Sequence, residues 1–329
     1  MKPRLYVMCG LPASGKSFVA EELAFIEDDL TIFSSDKYRE KLLGNENDQT
    51  NNQLVFDTLY KDLRNHLEQG KSAIFDATNT TLKSRLTIME KLKGIDCKKI
   101  IHIMTTPYEI CVERDKNRER SVGESVIYKF LSSFQCPQYF EGWDNIKIEP
   151  TSVCPNEFDL FRFYDLITYM MTFDQENPHH LFTLGQHSKN IYNKFVNDAD
   201  QIRALAGIFH DIGKLKTKRK DEAGIAHYYN HDNIGTYLLL SNPSVILNDL
   251  EHSDFLDVLF YVNYHMRAHK DFRGEKAYKK YCNLFGKTRL DMLIEFADAD
   301  IIASGTSDCH EQVLDEIKEA KANAKRDCI

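Results

Sequence analysis

The stretch Leu5–Ser17 reads LYVMCGLPASGKS, an apolar run followed by a glycine-rich turn. The run Leu5–Cys9 is typical of a buried parallel strand, and a helical pattern follows Ser17. This order is what a phosphate-binding loop needs, because loop glycines let backbone amides converge on phosphate oxygens at a helix N-terminus. The sequence therefore predicts an N-terminal α/β domain that binds a nucleoside triphosphate.

Two groups of residues are expected to hold the nucleotide, the glycine-rich loop itself and two arginines further along the chain. They are Gly10, Leu11, Pro12, Ala13, Ser14, Gly15, Lys16, Ser17, Arg118 and Arg120. Lys16 is expected to reach the β and γ phosphates of ATP or another NTP, and Ser17 to hold Mg²⁺. The alternative, a glycine-rich turn without a ligand, is disfavoured by the flanking strand and helix.

Hydrophobic patterning divides the chain into two domains, residues 1–150 and residues 151–329. In the first, apolar runs alternate with amphipathic stretches and predict a parallel sheet with helices on both faces. The predicted strands are Leu5–Cys9, Leu30–Phe33, Ser72–Phe75 and Lys99–Met104. In the second, the strand signal disappears and helical periodicity predicts an all-α bundle. The predicted helices are about 157–173, 184–198, 201–211, 230–240, 255–267 and 288–304.

Charge and composition exclude several classes of protein. The formal net charge of −8 excludes a bulk basic field for nucleic acid, so such a contact must be local. The sequence shows no aromatic platform either, which favours a short strand end over a long footprint. The eight cysteines form no C-x-x-C pair and indicate reduced thiols in the cytoplasm. No apolar run approaches the length of a membrane span, so no membrane partner is expected.

Two aspartates end predicted strands of the first domain. Asp36 follows Leu30–Phe33, where a carboxylate either accepts the proton of an incoming hydroxyl or only caps the next helix. Arg39 lies on the same helical face and can bind a phosphate with two nitrogens. Asp76 follows the next strand and either supports Mg²⁺ through water or fixes its loop.

A third feature is the charged stretch of residues 114–127. It predicts a helical lid that brings arginine to the leaving phosphate, or a solvated charged face.

The segments GLPASGKS, SSDKYR and DATN, with the arginine-rich stretch, resemble the phage-type polynucleotide 5′-kinase family over most of the first domain. The resemblance implies that Asp36 is the general base toward a 5′-hydroxyl and that Arg39 binds the acceptor's backbone phosphate. It implies that Arg120 grips the donor phosphates, with Arg118 as the second candidate. Gly123 departs from the family, where proline is expected. Related small-molecule kinases share the loop and the strand-end aspartate.

The second domain carries residues of metal-ligand type on five helical stretches. They are His187, the pair His210 and Asp211, His231, His265, and the acids Asp298 and Asp300. Histidine mixed with carboxylate suits a catalytic divalent metal such as Mn²⁺, Mg²⁺, Ni²⁺ or Co²⁺ and argues against a structural Zn²⁺ site. Such a metal makes hydroxide at neutral pH and polarises a phosphoryl oxygen.

The order His, His-Asp, Asp resembles the HD phosphohydrolase superfamily. The segments NPHHLFTLGQH, HDIGK, DEAGIAHYYNH and NYHM resemble more closely the HD domain of bacterial CCA-adding tRNA nucleotidyltransferases. The resemblance implies a first group of metal ligands, namely His187, His210, Asp211 and Asp300, with Asp298 as the alternative to Asp300. It implies that His231 and His265 contact phosphate or a second metal. Lys214 is a candidate for phosphate binding, and the expected structural histidines are His179, His180 and His227.

The two halves together resemble bifunctional end-healing enzymes that join an HD module to a polynucleotide kinase, although there the HD module comes first. Such an enzyme phosphorylates 5′-OH ends with ATP and Mg²⁺ and removes 2′,3′-cyclic phosphate or 3′-phosphate. The expected partners are RNA or DNA strand ends, tRNA among them, and an RNA ligase acting downstream. Two alternatives stay open. One is a small-molecule or nucleoside kinase fused to an HD nucleotide phosphohydrolase, and the other is a non-catalytic nucleotide-sensing regulator.

Overall fold

The computed structural model of the chain describes residues 2–27, 29–149, 160–243, 250–271, 274–305, 315–319 and 322, without the side chains of 160–164 and 268–271. The chain forms two compact units, Met1–Cys154 and Pro155–Ile329. The predicted boundary at residue 150 and the start of the predicted helix at 157 lie outside the described residues. Of the helices that the structure describes, none has the length and apolar character needed to cross a membrane.

The first unit is built on a parallel sheet of five strands. They are β1 (Arg4–Cys9), β2 (Thr31–Ser34), β3 (Ala73–Asp76), β4 (Lys98–Met104) and β5 (Asn145–Glu149). Their order is β2-β3-β1-β4-β5, and every pairing is parallel. The four predicted strands are confirmed to within one residue at each end. β5 is an addition at the sheet edge, where Ile146 is buried but its neighbour Lys147 is exposed.

Helices cover both faces of this sheet. They are α1 (Lys16–Ile26), α2 (Ser35–Leu43), α3 (Asn52–Glu68), α4 (Leu82–Lys91), α5 (Tyr108–Asn117) and α6 (Glu124–Ser132). Ile74 of β3 belongs to one apolar cluster with Ala20 of α1. The next residue, Phe75, stacks on Tyr60 of α3 with ring centroids 5.5 Å apart. Because successive strand residues point to opposite faces, α1 and α3 lie on opposite sides of the sheet.

A buried ion pair fixes the loop that follows β3. Arg85 donates to both carboxylate oxygens of Glu141, at 2.7 and 2.8 Å, and neither side chain is exposed. The indole of Trp143 also donates to Glu141, while Arg85 donates to the carbonyl of Asn79. Asn79 in turn donates to the carbonyl of Met8 at the end of β1. These bonds hold the ends of β1 and β3 together.

The second unit is helical with one short strand pair. Its helices are α7 (Leu160–Thr172), α8 (Leu184–Asn197), α9 (Gln201–Phe209), α10 (Lys214–Thr217), α11 (His231–Leu240), α12 (His252–Asp271), α13 (Glu275–Phe285) and α14 (Lys287–Ala303). The antiparallel strands are β6 (Arg219–Lys220) and β7 (Ala226–His227). The prediction of an all-α domain is therefore wrong for this hairpin, because two-residue strands are too short to show an alternating pattern.

Aromatic packing joins the helices of this unit. Phe195 of α8 stacks on Phe296 of α14 at 5.6 Å, and Tyr261 of α12 lies 5.4 Å from the same ring. Side chains cap the helix starts, since Thr183 accepts from a backbone N–H of α8 and Asp200 does so for α9. The core thus orients α8, α9, α12 and α14 around one centre.

A close backbone contact brings the start of α11 to the end of α9. A Cβ atom on Gly213 would lie 2.0 Å from the carbonyl oxygen of His231, so this position accepts only glycine. The contact places His231 beside the segment that carries the His210-Asp211 pair.

Candidate active sites

The loop between β1 and α1 has the backbone of a phosphate-binding loop. Ala13 and Gly15 have positive φ angles of 61° and 93°. Gly10 donates its N–H to the carbonyl of Thr78 at 2.9 Å, which ties the loop to the segment after β3. Because α1 begins directly after Gly15, the free N–H groups of its first turn face this loop.

Lys16, Ser17 and Asp76 form the polar centre of this loop. The Lys16 ammonium donates to the carbonyl of Leu11 at 2.7 Å, and burial lowers its pKa against the opposing charge of Asp76. Ser17 donates its hydroxyl to Asp76 at 2.8 Å, and burial raises the pKa of this carboxyl. A hydroxyl and a carboxylate meeting beside a lysine suit Mg²⁺ bound together with phosphate, which favours the first of the two predicted roles of Asp76.

Asp36 lies between two arginines in the first turn of α2. One of its oxygens accepts from Arg39 at 2.6 Å and the other from Arg120 at 2.9 Å. The N-cap of α2 is Ser34, so Asp36 is not the cap that the simpler interpretation proposes. Asp36 follows β2, whose last residue Ser34 pairs with Asp76 of β3, the carboxylate that Ser17 contacts, so Asp36 lies at the same end of the sheet as the phosphate-binding loop.

The arginine-rich segment differs from the predicted helical lid. Residues 118–123 form a loop between α5 and α6, and Asp115 organises this loop. Its carboxylate accepts from the Ser121 hydroxyl at 2.7 Å and from the N–H of Gly123 at 2.9 Å, and it pairs with Arg118. Although burial opposes it, these contacts lower the pKa of Asp115. Gly123 has a φ of 87°, which proline cannot adopt.

The two predicted lid arginines therefore point to different partners. Arg120 reaches Asp36 and also contacts Asn47 and Glu46, whereas Arg118 stays with Asp115 in its own segment. The structure brings Arg120, and not Arg118, to Asp36.

Sequence reasoning assigned no role to Arg114. Its guanidinium Nη1 lies 3.7 Å from the position that a Cβ atom on Gly15 would take. Arg114 thus stands beside the loop expected to bind phosphate. Its spacing of four residues from Arg118, one helical turn, is the signal that could have included it.

In the second unit, six polar side chains from separate elements converge. They are His187 of α8, His210 and Asp211 at the end of α9, His231 of α11, His265 of α12, and Asp300 of α14. Their ring nitrogens and carboxylate oxygens form three overlapping groups, each with all ligand atoms within 4.8 Å of one another. All six side chains are buried.

Asp211 lies at the centre of this cluster. One carboxylate oxygen is 3.2 Å from Nε2 of His210 and 3.5 Å from Nε2 of His187. The other is 3.0 Å from Nε2 of His231 and 3.6 Å from Nε2 of His265. The carboxylate therefore separates the four histidines into two pairs.

Asp300, and not Asp298, reaches the cluster. Its Oδ1 lies 3.0 Å from Nε2 of His187 and 3.5 Å from Nε2 of His210. Asp298 is half-buried and belongs to none of the convergent ligand groups among the residues that the structure describes. Side chains two residues apart on a helix point in directions about 200° apart, so only one of these two aspartates can face the centre.

The cluster has the features of a site for divalent cations. Three histidines use Nδ1 to contact the carbonyl three residues earlier, His210 at 3.0 Å, His231 at 2.6 Å and His265 at 2.8 Å. In the neutral form of each ring, such a contact places the proton on Nδ1 and leaves the Nε2 lone pair for a metal. The Nε2 atoms face one another at 3.1 Å between His187 and His210 and at 3.2 Å between His231 and His265. A cation between facing lone pairs relieves their repulsion, so these residues fit a metal.

The electrostatics of the cluster agree with this. Burial alone disfavours a charged His210, yet the carboxylates of Asp211 and Asp300 raise its pKa to about 10. Burial also opposes ionisation of Asp211, but the positive charges of His210 and Lys214 hold its pKa well below the usual range. A metal cation would take the place of the proton that these carboxylates otherwise hold on His210.

A cavity of about 530 Å³ opens onto the cluster, with Asp211, Lys214 and His180 among its lining residues. The buried Lys214 ammonium is 2.7 Å from Asp211, 2.9 Å from the amide oxygen of Gln175 and 3.2 Å from Nε2 of His180. The position of Lys214 suits the predicted phosphate contact. His179, His180 and His227, which were expected to be structural, line the cavity as well.

Comparison with known proteins supports the assignment of the first unit. Residues 5–137 match the AAA domain family, less than half of the chain. The first unit has a P-loop kinase fold, which implies ATP and Mg²⁺ as its cofactors.

Among curated proteins, 6-phosphofructo-2-kinase/fructose-2,6-bisphosphatase 1 of Rattus norvegicus is 32% identical over 107 residues, 28% of this chain and 23% of that protein. The Homo sapiens protein of the same name is 32% identical over 108 residues, with the same shares. The chain thus matches about a quarter of the length of these relatives.

Two solved structures show weaker likeness. The Pnkp1/Rnl/Hen1 RNA repair complex contains a chain with 23% identity and a TM-score of 0.37, covering 40% of this chain and 43% of that one. A fungal RNA kinase has 16% identity and a TM-score of 0.37, covering 82% of this chain and 62% of its own. At such TM-scores these likenesses do not bear on function.

Proposed function

We propose that the chain heals nucleic-acid ends with two active sites. The first unit transfers phosphate from ATP to a 5′-hydroxyl, and the second removes a 2′,3′-cyclic phosphate or a 3′-phosphate. The observation that carries the proposal is the pairing, in one chain, of a phosphate-binding loop facing an arginine-flanked carboxylate with a six-residue His/Asp cluster. One site adds phosphate and the other removes it, and a strand break is a substrate that needs both.

In the kinase, donor and acceptor are held by different residues. Lys16 and the loop amides neutralise the β and γ phosphates. Ser17 would hold Mg²⁺, with Asp76 supporting it through water, and the ion would balance the charge on the transferred group. Asp36 takes the proton of the acceptor hydroxyl as its oxygen bonds to the γ phosphorus, and the bond from that phosphorus to the bridging oxygen breaks to release ADP. This division is supported by the separate positions of the Ser17–Asp76 pair and the Asp36–Arg39 pair.

Arginines provide recognition on both sides. Arg39 is buried and also contacts Asn52 and the ring of Phe56, so its guanidinium is held in place for the acceptor's backbone phosphate. Arg120, which contacts Asp36, is proposed to grip the donor phosphates, and Arg114 adds positive charge beside the loop. Arg118 stabilises the loop of residues 118–123, the lid loop, by pairing with Asp115.

In the phosphohydrolase, the HD-type cluster would hold one or two divalent ions. His187, His210, Asp211 and Asp300 form the first group of ligands, and His231 and His265 form the second with the other oxygen of Asp211. A transition metal such as Mn²⁺, Ni²⁺ or Co²⁺ suits these imidazoles better than Mg²⁺ does, and it supplies hydroxide at neutral pH. Lys214 is placed to bind the phosphate.

The chemistry of strand breaks defines the substrate class. A nuclease break in RNA leaves a 5′-hydroxyl and a cyclic or 3′-terminal phosphate, whereas a ligase needs a 5′-phosphate and a 3′-hydroxyl. The proposed partners are therefore RNA or DNA ends, tRNA breaks among them, and an RNA ligase that acts next.

A second candidate function is favoured by one observation. The curated relatives named above are 6-phosphofructo-2-kinases joined to a phosphatase, and small-molecule kinases share the loop and the strand-end aspartate. In this alternative the first unit phosphorylates a sugar or nucleoside, and the HD unit acts on nucleotides.

An acceptor series separates the two candidates. Phosphorylation is measured with a bare nucleoside, a nucleoside 3′-phosphate and a 5′-OH oligonucleotide at equal concentration. End healing predicts a marked preference for acceptors that carry the 3′-phosphate, because Arg39 binds it. Equal rates with the bare nucleoside overturn the polynucleotide assignment and favour the second candidate.

A further inference from the structure

An exposed aromatic pair lines the cavity beside the His/Asp cluster. The rings of His227 and Tyr229 stack with centroids 5.7 Å apart and planes within 8° of parallel. Tyr229 is 67% exposed, although a large aromatic ring is normally covered. Both residues line the same cavity as Asp211 and Lys214.

The hairpin holds the His227 ring in place. His227 lies in β7, opposite Arg219 of β6, and its Nε2 contacts the Asp221 carboxylate at 2.9 Å. Asp221 also accepts the N–H of Ile225 at 3.0 Å, which closes the turn between the strands. The His227 ring is therefore a fixed support beneath Tyr229.

Tyr228, between them, has a different role. Its hydroxyl donates to the carbonyl of Gln175 at 2.6 Å, and its ring packs near Phe173. Tyr228 also lines the cavity, but these contacts hold its ring, whereas the Tyr229 ring is exposed. The sequence shows no aromatic platform, because the stacking of His227 on Tyr229 depends on the path of the backbone after β7.

We infer that Tyr229, supported by His227, is a stacking platform for the terminal nucleobase of the strand whose phosphate reaches the cluster. The inference rests on the proposed phosphohydrolase function. It specifies that the substrate is a phosphate on a terminal nucleotide and that the site binds the base as well as the phosphate. Every base offers a flat π face, so stacking binds strand ends without selecting a sequence. A planar ring already stacked on a fixed imidazole loses little freedom when a base adds to it.

The experiment compares two short RNAs that end in a 3′-phosphate, one with a normal terminal base and one with an abasic terminal ribose. Wild-type protein is expected to show a KM about tenfold lower for the RNA with the base, from one base–aromatic stack. In Tyr229→Ala this difference between the two RNAs collapses, whereas Tyr229→Phe retains it. Tyr169→Ala removes a tyrosine that is 54% exposed outside the cavity lining, and it should keep the wild-type pattern.

A second readout is independent of hydrolysis. An RNA with a terminal 2-aminopurine should lose fluorescence on binding to wild type and to Tyr229→Phe, but much less on binding to Tyr229→Ala. A base preference and quenching that persist in Tyr229→Ala overturn the platform. If neither RNA is hydrolysed, the proposed function fails, and the 2-aminopurine signal still decides whether Tyr229 stacks on a base.

Discussion

Replacing Asp36 by asparagine is expected to remove kinase activity from a folded protein. Asp36 accepts from Arg39 at 2.6 Å and from Arg120 at 2.9 Å. Asparagine keeps the size of the side chain and can accept a hydrogen bond from an arginine, but it cannot take a proton from the acceptor hydroxyl. The change therefore isolates the proposed chemical role.

The expected losses in rate and in stability differ in size. A positioned general base contributes about 10²–10⁴-fold, or about 3–5 kcal/mol of activation free energy. The Asp36 side chain is 46% exposed, and ion pairs of such groups contribute up to about 1 kcal/mol to folding. Both arginines keep other partners, Asn52 for Arg39 and Asn47 for Arg120. The rate should therefore fall at least about 100-fold, while the free energy of unfolding changes by less than about 1 kcal/mol.

Single-turnover transfer of the γ-phosphate of ATP to 5′-OH RNA measures the rate, and urea unfolding measures stability. Asp57 offers a matched control, since its side chain is 47% exposed and pairs with Lys91 at 3.2 Å. Asp57→Asn should leave the kinase rate unchanged. An Asp36→Asn protein that phosphorylates RNA at near wild-type rate refutes the general-base role. Loss of ATP affinity together with stability would assign Asp36 to the fold instead.

Three further predictions follow from the two sites. Arg39→Ala should raise the KM for a 3′-phosphorylated acceptor more than that for ATP, with partial rescue by lysine, which lacks the planar fork; equal effects on both substrates would contradict this. Asp300→Ala should lose hydrolysis and bound metal, measured by phosphate release and metal analysis, whereas Asp298→Ala should lose much less, and the reverse result would move the ligand to Asp298. Titration of Mn²⁺, Ni²⁺ or Co²⁺ at fixed Mg²⁺ should raise hydrolysis without raising phosphorylation, since imidazole ligands favour transition metals, and a parallel rise in both rates would argue against separate metal preferences.

The sequence predicts best those strands that are buried along most of their length. β1 and β4 read as continuous apolar runs because helices cover both faces of the sheet. β5 was not predicted because Ile146 is the only one of its five residues that is buried at this sheet edge. α13 escapes because its buried Tyr278, Tyr281 and Phe285 are set among charged residues. The local hydrophobic pattern therefore predicts buried strands well. It predicts edge strands and helices with a mainly aromatic buried face poorly.

The residues of the candidate sites also fall into those that the sequence predicts and those that it does not. Residue types and spacing point to the phosphate-binding loop and to the His/Asp cluster, but the choice between Asp298 and Asp300 depends on the rotation of α14. Arg114 and His180 come to their sites only through tertiary packing. Asp115, which shapes the lid loop, looks like one acid among many in a charged run. The roles of these residues can be assigned only from the three-dimensional structure.

The most direct test of the two-site account uses one RNA that carries a 5′-hydroxyl and a 2′,3′-cyclic phosphate, incubated with the protein, ATP, Mg²⁺ and Mn²⁺. Mass spectrometry of the product reads both ends at once. Wild type should yield a 5′-phosphate and a terminus without phosphate on its 2′ or 3′ oxygen. Lys16→Ala should heal only the 3′ end and Asp211→Ala only the 5′ end, because each acts in its own site. An RNA that leaves wild-type protein with both ends unchanged would contradict the account.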